Sequence, residues 1–205
     1  MVSSLWIRVK LIVSLILIIA GVHALNVILD HQLGYYGIIP RSEAHWFHVF
    51  TSPFIHGNLA HLINNLIGLA IFSAFCLLRS VSFYLLSSLF IITMTGALVW
   101  LFGREAIHIG ASGWIFGLWS LSIAMALFDR RFINIVSGFL VFFFYGGMIY
   151  GVLPSDPNVS FEAHFFGALS GVVYAFLYSL YLKSPYLKTG SRSDKSKPLT
   201  KGKIK

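Results

Sequence analysis

The chain has 205 residues, of which 57% are hydrophobic and 11% are charged, and its formal net charge at pH 7 is +8. Water-soluble globular domains carry about 25% charged residues, so this composition excludes a soluble protein of this size. The mean hydropathy of +0.81 indicates instead a chain that lies within a lipid bilayer.

Uncharged stretches identify the predicted membrane-spanning helices, each of which takes roughly 20 residues. The fourth stretch is the least regular, because its uncharged run begins at Ala106 and contains a glycine-rich turn. Continuous apolar runs favour helices over barrel strands, whose residues alternate in polarity. The sequence therefore predicts an all-α membrane protein, a bundle of six transmembrane helices. The six stretches are Leu11–Leu29, Leu59–Leu78, Val81–Phe102, Gly113–Phe128, Phe132–Leu153 and Ala163–Leu182.

The first span has one feature of a cleaved signal peptide, because Arg8 and Lys10 precede its apolar run. Five further spans follow it, so we interpret it as a retained anchor. We therefore divide the chain into a cytoplasmic N-terminus (residues 1–10), a six-helix domain (residues 11–183) and a basic, disordered cytoplasmic tail (residues 184–205).

Basic residues indicate the orientation in the membrane. Of the 15 Lys and Arg residues, only Arg41 and Arg104 lie on the side opposite to the two termini. Cytoplasmic loops are enriched in Lys and Arg, so we expect both termini in the cytoplasm. The basic tail suits contact with the anionic lipids of the bilayer. Because it lacks interleaved aromatic residues and a folded module, we expect no nucleic-acid partner.

The residue types that bind metals do not form a recognisable site. Cys76 is the single cysteine, which excludes an internal disulfide and a cysteine metal cluster. Three histidines, His56, His61 and His164, have neither an acidic ligand nor a His-Glu-x-x-His spacing beside them. We therefore expect no metal and no organic cofactor.

Polar residues inside a membrane span indicate a functional site. On a helix, His61 and Asn65 lie about 40° apart around the axis and roughly 6 Å apart along it, so they share one face. Asn64 lies about 60° to the other side of His61, so spacing alone leaves both asparagines as candidates. We expect His56 at the entry to this helix, where it and Asn58 would line a water-filled cavity.

A nucleophile is indicated where the fourth span begins. Ser112 lies between glycines in Gly110-Ala111-Ser112-Gly113, directly before an apolar run. A helix that begins there presents free backbone N–H groups and the positive end of its dipole beside the serine. Such donors suit an oxyanion, which needs them in place before charge develops. We expect the nearby His108 to be an interfacial residue.

A base is indicated at the start of the sixth span. Gly113 and Gly117 are four residues apart, as are Gly167 and Gly171, and such pairs let membrane helices approach closely. A close approach of spans four and six brings His164, one turn before Gly167, towards Ser112. The two polar residues also fall at matching depth.

These motifs resemble the rhomboid family of intramembrane serine proteases, over a region from about Trp46 to Tyr174. The resemblance assigns His61 and Asn65 to the family's oxyanion pair and thereby excludes Asn64. One departure is that many members carry a Trp-Arg pair in the first loop, where this chain has Phe47-His48. The other matching segments are Trp46-Phe47-His48-Val49-Phe50-Thr51-Ser52-Pro53-Phe54-Ile55-His56, Gly110-Ala111-Ser112-Gly113, Tyr150-Gly151-Val152-Leu153-Pro154 and Ala163-His164-Phe165-Phe166-Gly167 with Gly171.

The resemblance implies a serine endopeptidase that cleaves transmembrane proteins in or near their membrane spans. Ser112 and His164 would form a catalytic dyad, since the predicted spans hold no carboxylate to orient the imidazole. His61, Asn65 and the Ser112 amide would stabilise the oxyanion. The compact six-helix form suggests the bacterial inner membrane, with the site on the external side. The glycines expected to support the site are Gly110, Gly113, Gly117, Gly167 and Gly171.

Two other functions stay open. A rhomboid-like protein without activity would bind transmembrane helices and leave them uncut. A transporter or channel would use the same polar residues as a path for protons or solutes. The sequence leaves the physiological substrate and the oligomeric state open.

Overall fold

The protein is described by a computed structural model that covers residues 2–154 and 159–184. The regular structure within these residues is helical, apart from one isolated bridge between Ile38 and His108. The predicted all-α bundle of six helices is confirmed for this part of the chain. The helices are α1 (Val2–Ile28), α2 (Leu59–Leu77), α3 (Val81–Phe102), α4 (Ser112–Phe128), α5 (Phe132–Tyr145) and α6 (Phe161–Lys183), and a 3-10 helix, Gly146–Val152, continues α5.

Helix α4 differs from the other five because it is shorter than a full membrane span. It has 17 residues, whereas α1, α2, α3 and α6, and α5 together with the 3-10 helix that continues it, are long and apolar enough to cross a bilayer in the described part of the chain. The bounds of α4 agree to within one residue with the predicted fourth span, Gly113–Phe128, which was the shortest of the six predicted spans. Its short length has a local cause, since the chain forms the Gly110-Ala111 turn before α4 begins at Ser112. Neighbouring helices cover α4, and twelve of its residues are buried.

The ends of α1 and α6 differ from their predicted positions. Helix α1 begins at Val2, so residues 2–10 continue the first span as helix. Helix α6 begins at Phe161 because Ser160 caps it, accepting a hydrogen bond from the Ala163 amide at 3.2 Å. Glu162 therefore lies inside α6, which corrects the expectation of spans without a carboxylate. The predicted tail lies outside the described residues from residue 185 onward.

Helices α4 and α6 approach each other through glycines at the centre of the bundle. A Cβ atom added to Gly167 would collide with the backbone of Gly113, and one added to Gly171 would collide with the backbone of Gly117. Only glycine permits such a distance between two helix backbones. Four of the five glycines of the predicted support set thus lie at this contact, close to Ser112 and His164.

Loop contacts define two ends of the bundle. At one end, the bridge from Ile38 to His108 joins the first loop (residues 29–58) to the third loop (residues 103–111). At the opposite end, the Arg79 side chain donates a 2.7 Å hydrogen bond to Asn134 at the start of α5. Successive helices therefore alternate in direction, and the starts of α2, α4 and α6 share one end.

Candidate functional site

An open cavity of about 830 Å³ lies at the end of the bundle where α2, α4 and α6 begin. One part of its wall is polar, and the remainder is formed by apolar and aromatic side chains of α2, α4 and the segment after α5. The cavity brings together the predicted nucleophile, base and oxyanion residues. The polar lining residues include Asn58, His61, Asn64, Asn65, Ser112, Ser160 and His164, and the apolar ones include Ile71, Phe72, Ile115, Phe116, Tyr145 and Met148.

Ser112 is the first residue of α4, and the turn before it is tightly held. Gly110 has a φ of 110°, a backbone conformation that side chains other than glycine rarely adopt. A Cβ atom at this position would also lie 2.6 Å from the imidazole of His61. The Gly110 amide donates to the carbonyl of Ser52 at 2.9 Å. The turn therefore presents Ser112 and the free amides of the first helical turn to the cavity.

The imidazole of His164 is fixed in orientation and in tautomer. Its Nδ1 lies 2.8 Å from the carbonyl oxygen of Gly151. A carbonyl only accepts hydrogen bonds, so Nδ1 carries the proton and Nε2 keeps its lone pair. The ring stacks on Phe116 with centroids 4.1 Å apart and planes 8° apart. This arrangement suits a general base whose accepting nitrogen faces a reacting group.

The residue that orients His164 is thus a backbone carbonyl and not a carboxylate. Gly151 belongs to the 3-10 helix that follows α5. A Cβ atom on Gly151 would lie 2.7 Å from Cζ of Phe116, so glycine lets the aromatic ring and the carbonyl reach the same imidazole. Glu162, two residues before His164, forms an ion pair with Arg104 at 3.6 Å.

The two asparagines of α2 differ in environment. Asn65 is buried, and its amide donates to the His61 carbonyl at 2.9 Å, whereas Asn64 is exposed. A Cβ atom built on Gly110 would lie 3.8 Å from the amide nitrogen of Asn65. Asn65 therefore faces the turn that carries Ser112, together with His61.

His56 lies behind the turn, so the expectation that it lines the cavity is wrong. Its side chain is 0% exposed, and Nε2 accepts a 3.5 Å hydrogen bond from the Ala111 amide. Its ring makes an edge contact with His61, at 5.0 Å between centroids. Burial is the main cause that lowers the pKa of His56 to about 4, and the nearby His61 lowers it further. His56 is neutral at pH 7 and supports the turn from inside. Asn58 does line the cavity, as expected.

The first loop is ordered although it lacks the Trp-Arg pair. His48 is buried, and its Nδ1 lies 2.9 Å from the carbonyl oxygen of Gly37. Phe47 packs edge-on against the His48 ring, with centroids 4.7 Å apart. An imidazole therefore anchors this loop.

Sequence reasoning missed several residues of the site. Phe116 follows Ser112 by four residues on α4, a spacing that places both on one face and was a usable signal. Gly151 stood in a matching segment, but no local pattern shows that its carbonyl meets His164. His108 is buried and hydrogen-bonded to Ser160 at 2.7 Å, which the expectation of an interfacial residue did not include.

Comparison with known proteins agrees with the motifs. A family model described as the rhomboid domain matches residues 43–181, which contain the whole predicted site. An uncharacterised protein of Mycobacterium tuberculosis is 34% identical over 152 residues, which cover 70% of this chain and 63% of that protein. An uncharacterised protein of Mycobacterium leprae is 34% identical over 159 residues, covering 73% and 62% of the two chains.

A plant relative carries a family name. Rhomboid-like protein 11, chloroplastic, of Arabidopsis thaliana is 33% identical over 149 residues, which cover 65% of this chain and 53% of the relative. The chain thus spans less than two thirds of the length of these curated relatives. The predicted resemblance is confirmed: this multi-pass membrane protein belongs to the rhomboid family, whose members are typically intramembrane serine proteases acting on transmembrane substrates.

Proposed function

We propose that this chain is an intramembrane serine endopeptidase that cleaves peptide bonds in or near the transmembrane segments of other membrane proteins. Ser112 is the nucleophile and His164 is the general base. One observation carries the proposal: a serine at a helix N-terminus and an imidazole with its Nδ1 bound to a carbonyl line the same cavity.

The proposed reaction uses the tautomer that Gly151 stabilises. Nε2 of His164 accepts the proton of Ser112 as the hydroxyl attacks the substrate carbonyl, and then returns it to the leaving amine. Water entering through the open cavity hydrolyses the acyl-enzyme in the second half of the cycle. The Gly151 carbonyl accepts from Nδ1 throughout, so it also stabilises the transient imidazolium.

The negative charge of the tetrahedral intermediate needs donors on the other side of Ser112. The backbone amide of Ser112, the amide of Asn65 and the imidazole of His61 supply them in this proposal. The contact of Gly110 with the His61 ring supports it, because that contact keeps His61 beside the nucleophile turn. One such donor typically contributes about 3 kcal/mol to transition-state binding.

The proposed location is the bacterial inner membrane, with both termini in the cytoplasm and the cavity open to the external side. The distribution of charge supports this orientation. The loops around the cavity contain Arg41 and Arg104, whereas Arg79, Arg130 and Arg131 lie in the loops at the opposite end. Basic residues concentrate on the cytoplasmic side of membrane proteins.

The test uses the purified protein in liposomes with a model substrate that has a single transmembrane helix. Ser112→Ala and His164→Ala should each abolish cleavage, and Ser112→Ala should also abolish labelling by a fluorophosphonate. The matched control is Ser122→Ala, which removes a buried hydroxyl of the same helix that bonds the Leu118 carbonyl. Full cleavage by Ser112→Ala would refute the assignment. A wild-type chain that neither cleaves nor labels would support an inactive, helix-binding rhomboid-like protein.

A further inference from the structure

Two polar links join the third loop to the segment that begins α6, which we call the α6 cap (Val159–Glu162). His108 Nδ1 lies 2.7 Å from the Ser160 hydroxyl oxygen. The Arg104 guanidinium donates to the Val159 carbonyl at 2.7 Å and forms the ion pair with Glu162. None of these residues takes part in the proposed reaction.

His108 and Ser160 each lie four residues before a residue of the proposed dyad. His108 precedes the nucleophile Ser112 by four residues, and Ser160 precedes the base His164 by four residues. The hydrogen bond therefore joins the segments that lead into the two halves of the dyad, above the point where α4 and α6 pack together.

Close packing between α4 and α6 reaches the first turn of both helices. A Cβ atom added to Gly113 would lie 3.0 Å from the carbonyl oxygen of Ala163, so the segments that precede Ser112 and Ala163 lie beyond this contact. The first turn of a helix also lacks the preceding hydrogen-bonded turn that holds its interior. The hydrogen bond between His108 and Ser160 adds a constraint between the segments that precede these helix starts.

The hydrogen bonds determine the tautomer of His108. Its Nε2 lies 3.1 Å from the Arg104 carbonyl oxygen, which only accepts, so Nε2 carries the proton. Nδ1 then accepts from the Ser160 hydroxyl, whose oxygen accepts from the Ala163 amide. Both ring nitrogens and the hydroxyl are thereby satisfied with a neutral imidazole.

The backbone of His108 is held as firmly as its ring. Its amide and carbonyl each form a 2.9 Å hydrogen bond with Ile38 of the first loop. The side chain is buried. His108 therefore ties the first loop, the third loop and the α6 cap together beside the site.

We propose that His108 and Ser160 are positioning residues, whose hydrogen bond holds the segments that lead into Ser112 and His164 in a fixed relative position. This inference rests on the proposed protease function, because it concerns the geometry of that dyad. Displacement of a reacting group by about 1 Å is enough to lower a rate roughly 100-fold. The pair acts on the chemical step, so its loss should lower kcat and leave KM nearly unchanged.

The variants separate the link from the capping of α6. His108→Phe keeps a ring and removes both hydrogen bonds of the imidazole. Ser160→Gly removes the hydroxyl, and glycine is itself a tolerated N-cap. Ser160→Thr keeps the hydroxyl and should retain activity. The matched control pair is Ser42 and His45, which form a 2.8 Å hydrogen bond of the same kind within the first loop.

The experiment measures kcat and KM for cleavage by the full chain in liposomes, with folding checked by thermal unfolding. His108→Phe and Ser160→Gly should each lower kcat roughly 10- to 100-fold, with KM within about twofold of the wild-type value. The losses in kcat should not multiply in the double variant, because each single variant already removes the hydrogen bond between His108 and Ser160. His45→Phe and Ser42→Gly should leave kcat unchanged.

The outcomes distinguish this inference from the proposed function. Wild-type kcat in either His108→Phe or Ser160→Gly overturns the positioning role while Ser112-dependent cleavage stands. Losses that multiply in the double variant, or a fall in kcat as large for Ser160→Thr as for Ser160→Gly, overturn it as well. If the wild-type chain shows no fluorophosphonate labelling that depends on Ser112, the proposed function fails and this inference fails with it.

Discussion

The imidazole of His164 lies flat on the ring of Phe116, with centroids 4.1 Å apart and planes 8° apart. This stacking, together with the Gly151 carbonyl, sets both the plane and the tautomer of the proposed base. The two constraints come from different parts of the chain, one from α4 and one from the 3-10 helix after α5. Removal of either one should therefore misplace Nε2 without unfolding the bundle.

The first prediction concerns the aromatic surface under the base. Phe116→Leu fills much of the same volume but removes the flat ring, so His164 gains freedom to rotate. We expect kcat to fall roughly tenfold or more, in the range of general-base effects. Phe128→Leu, at the last position of the same helix, should leave kcat unchanged. The measurement is kcat of the two variants with the model substrate. Equal values would show that Phe116 does not orient His164.

The second prediction concerns the glycine that carries the orienting carbonyl. Gly151→Ala adds a Cβ atom 2.7 Å from Cζ of Phe116, so the ring or the carbonyl must move. We expect the rate of cleavage to fall at least tenfold, because a misoriented His164 accepts the Ser112 proton less efficiently. Gly147→Ala is the control, since a Cβ atom there meets nothing within 4 Å in the same 3-10 helix. Similar activities of the two alanine variants would contradict the role of the Gly151 carbonyl.

The third prediction compares the neighbouring asparagines of α2. Asn65→Ala should lower kcat roughly 100-fold, since one oxyanion donor contributes about 3 kcal/mol. Asn64→Ala should have little effect, because Asn64 is exposed whereas Asn65 faces the turn at Gly110. Turnover of the model substrate by both variants is the measurement. Small, equal losses would exclude Asn65 from the oxyanion site.

The fourth prediction is a pH dependence of stability that comes from His56. Its pKa is lowered to about 4 in the folded protein, chiefly by burial, whereas an exposed histidine titrates near 6.5. Below pH 6.5 the unfolded chain therefore binds a proton at this position that the folded chain does not bind. The contribution of His56 to stability is constant above pH 6.5 and is lost progressively as the pH falls towards 4.

The size of this effect follows from the shift in pKa. Each unit corresponds to about 1.4 kcal/mol, so the loss by pH 4 amounts to up to about 3 kcal/mol. His56→Gln keeps an acceptor for the Ala111 amide and cannot titrate. Thermal unfolding from pH 7.5 to 4.5 should show a smaller decrease in stability for His56→Gln than for the wild type. Parallel curves would show that His56 does not take up this proton.

Much of the architecture could be predicted because hydropathy is a local property. The apolar runs identified the bundle, and the ends of α2 and α3 agree with prediction to within one residue. The predicted starts of α1 and α6 differ more from the structure, because a charged residue was taken to end an apolar span. The turn at Gly110 and Ala111 starts α4 within one residue of its predicted position, whereas the Ser160 cap starts α6 before Glu162. Turn and cap geometry, rather than hydropathy, determines those boundaries.

The sequence by itself determined that this chain lies in a bilayer and belongs with the rhomboid family. Composition, spacing and motif order were sufficient for both. Only the tertiary structure decided which groups meet at the cavity. His164 reaches Gly151 across 13 residues, His108 reaches Ser160 across 52, and His56 reaches Ala111 across 55. Such contacts depend on how the helices pack and on which carbonyl or hydroxyl each loop then presents, and no local pattern in the chain encodes them.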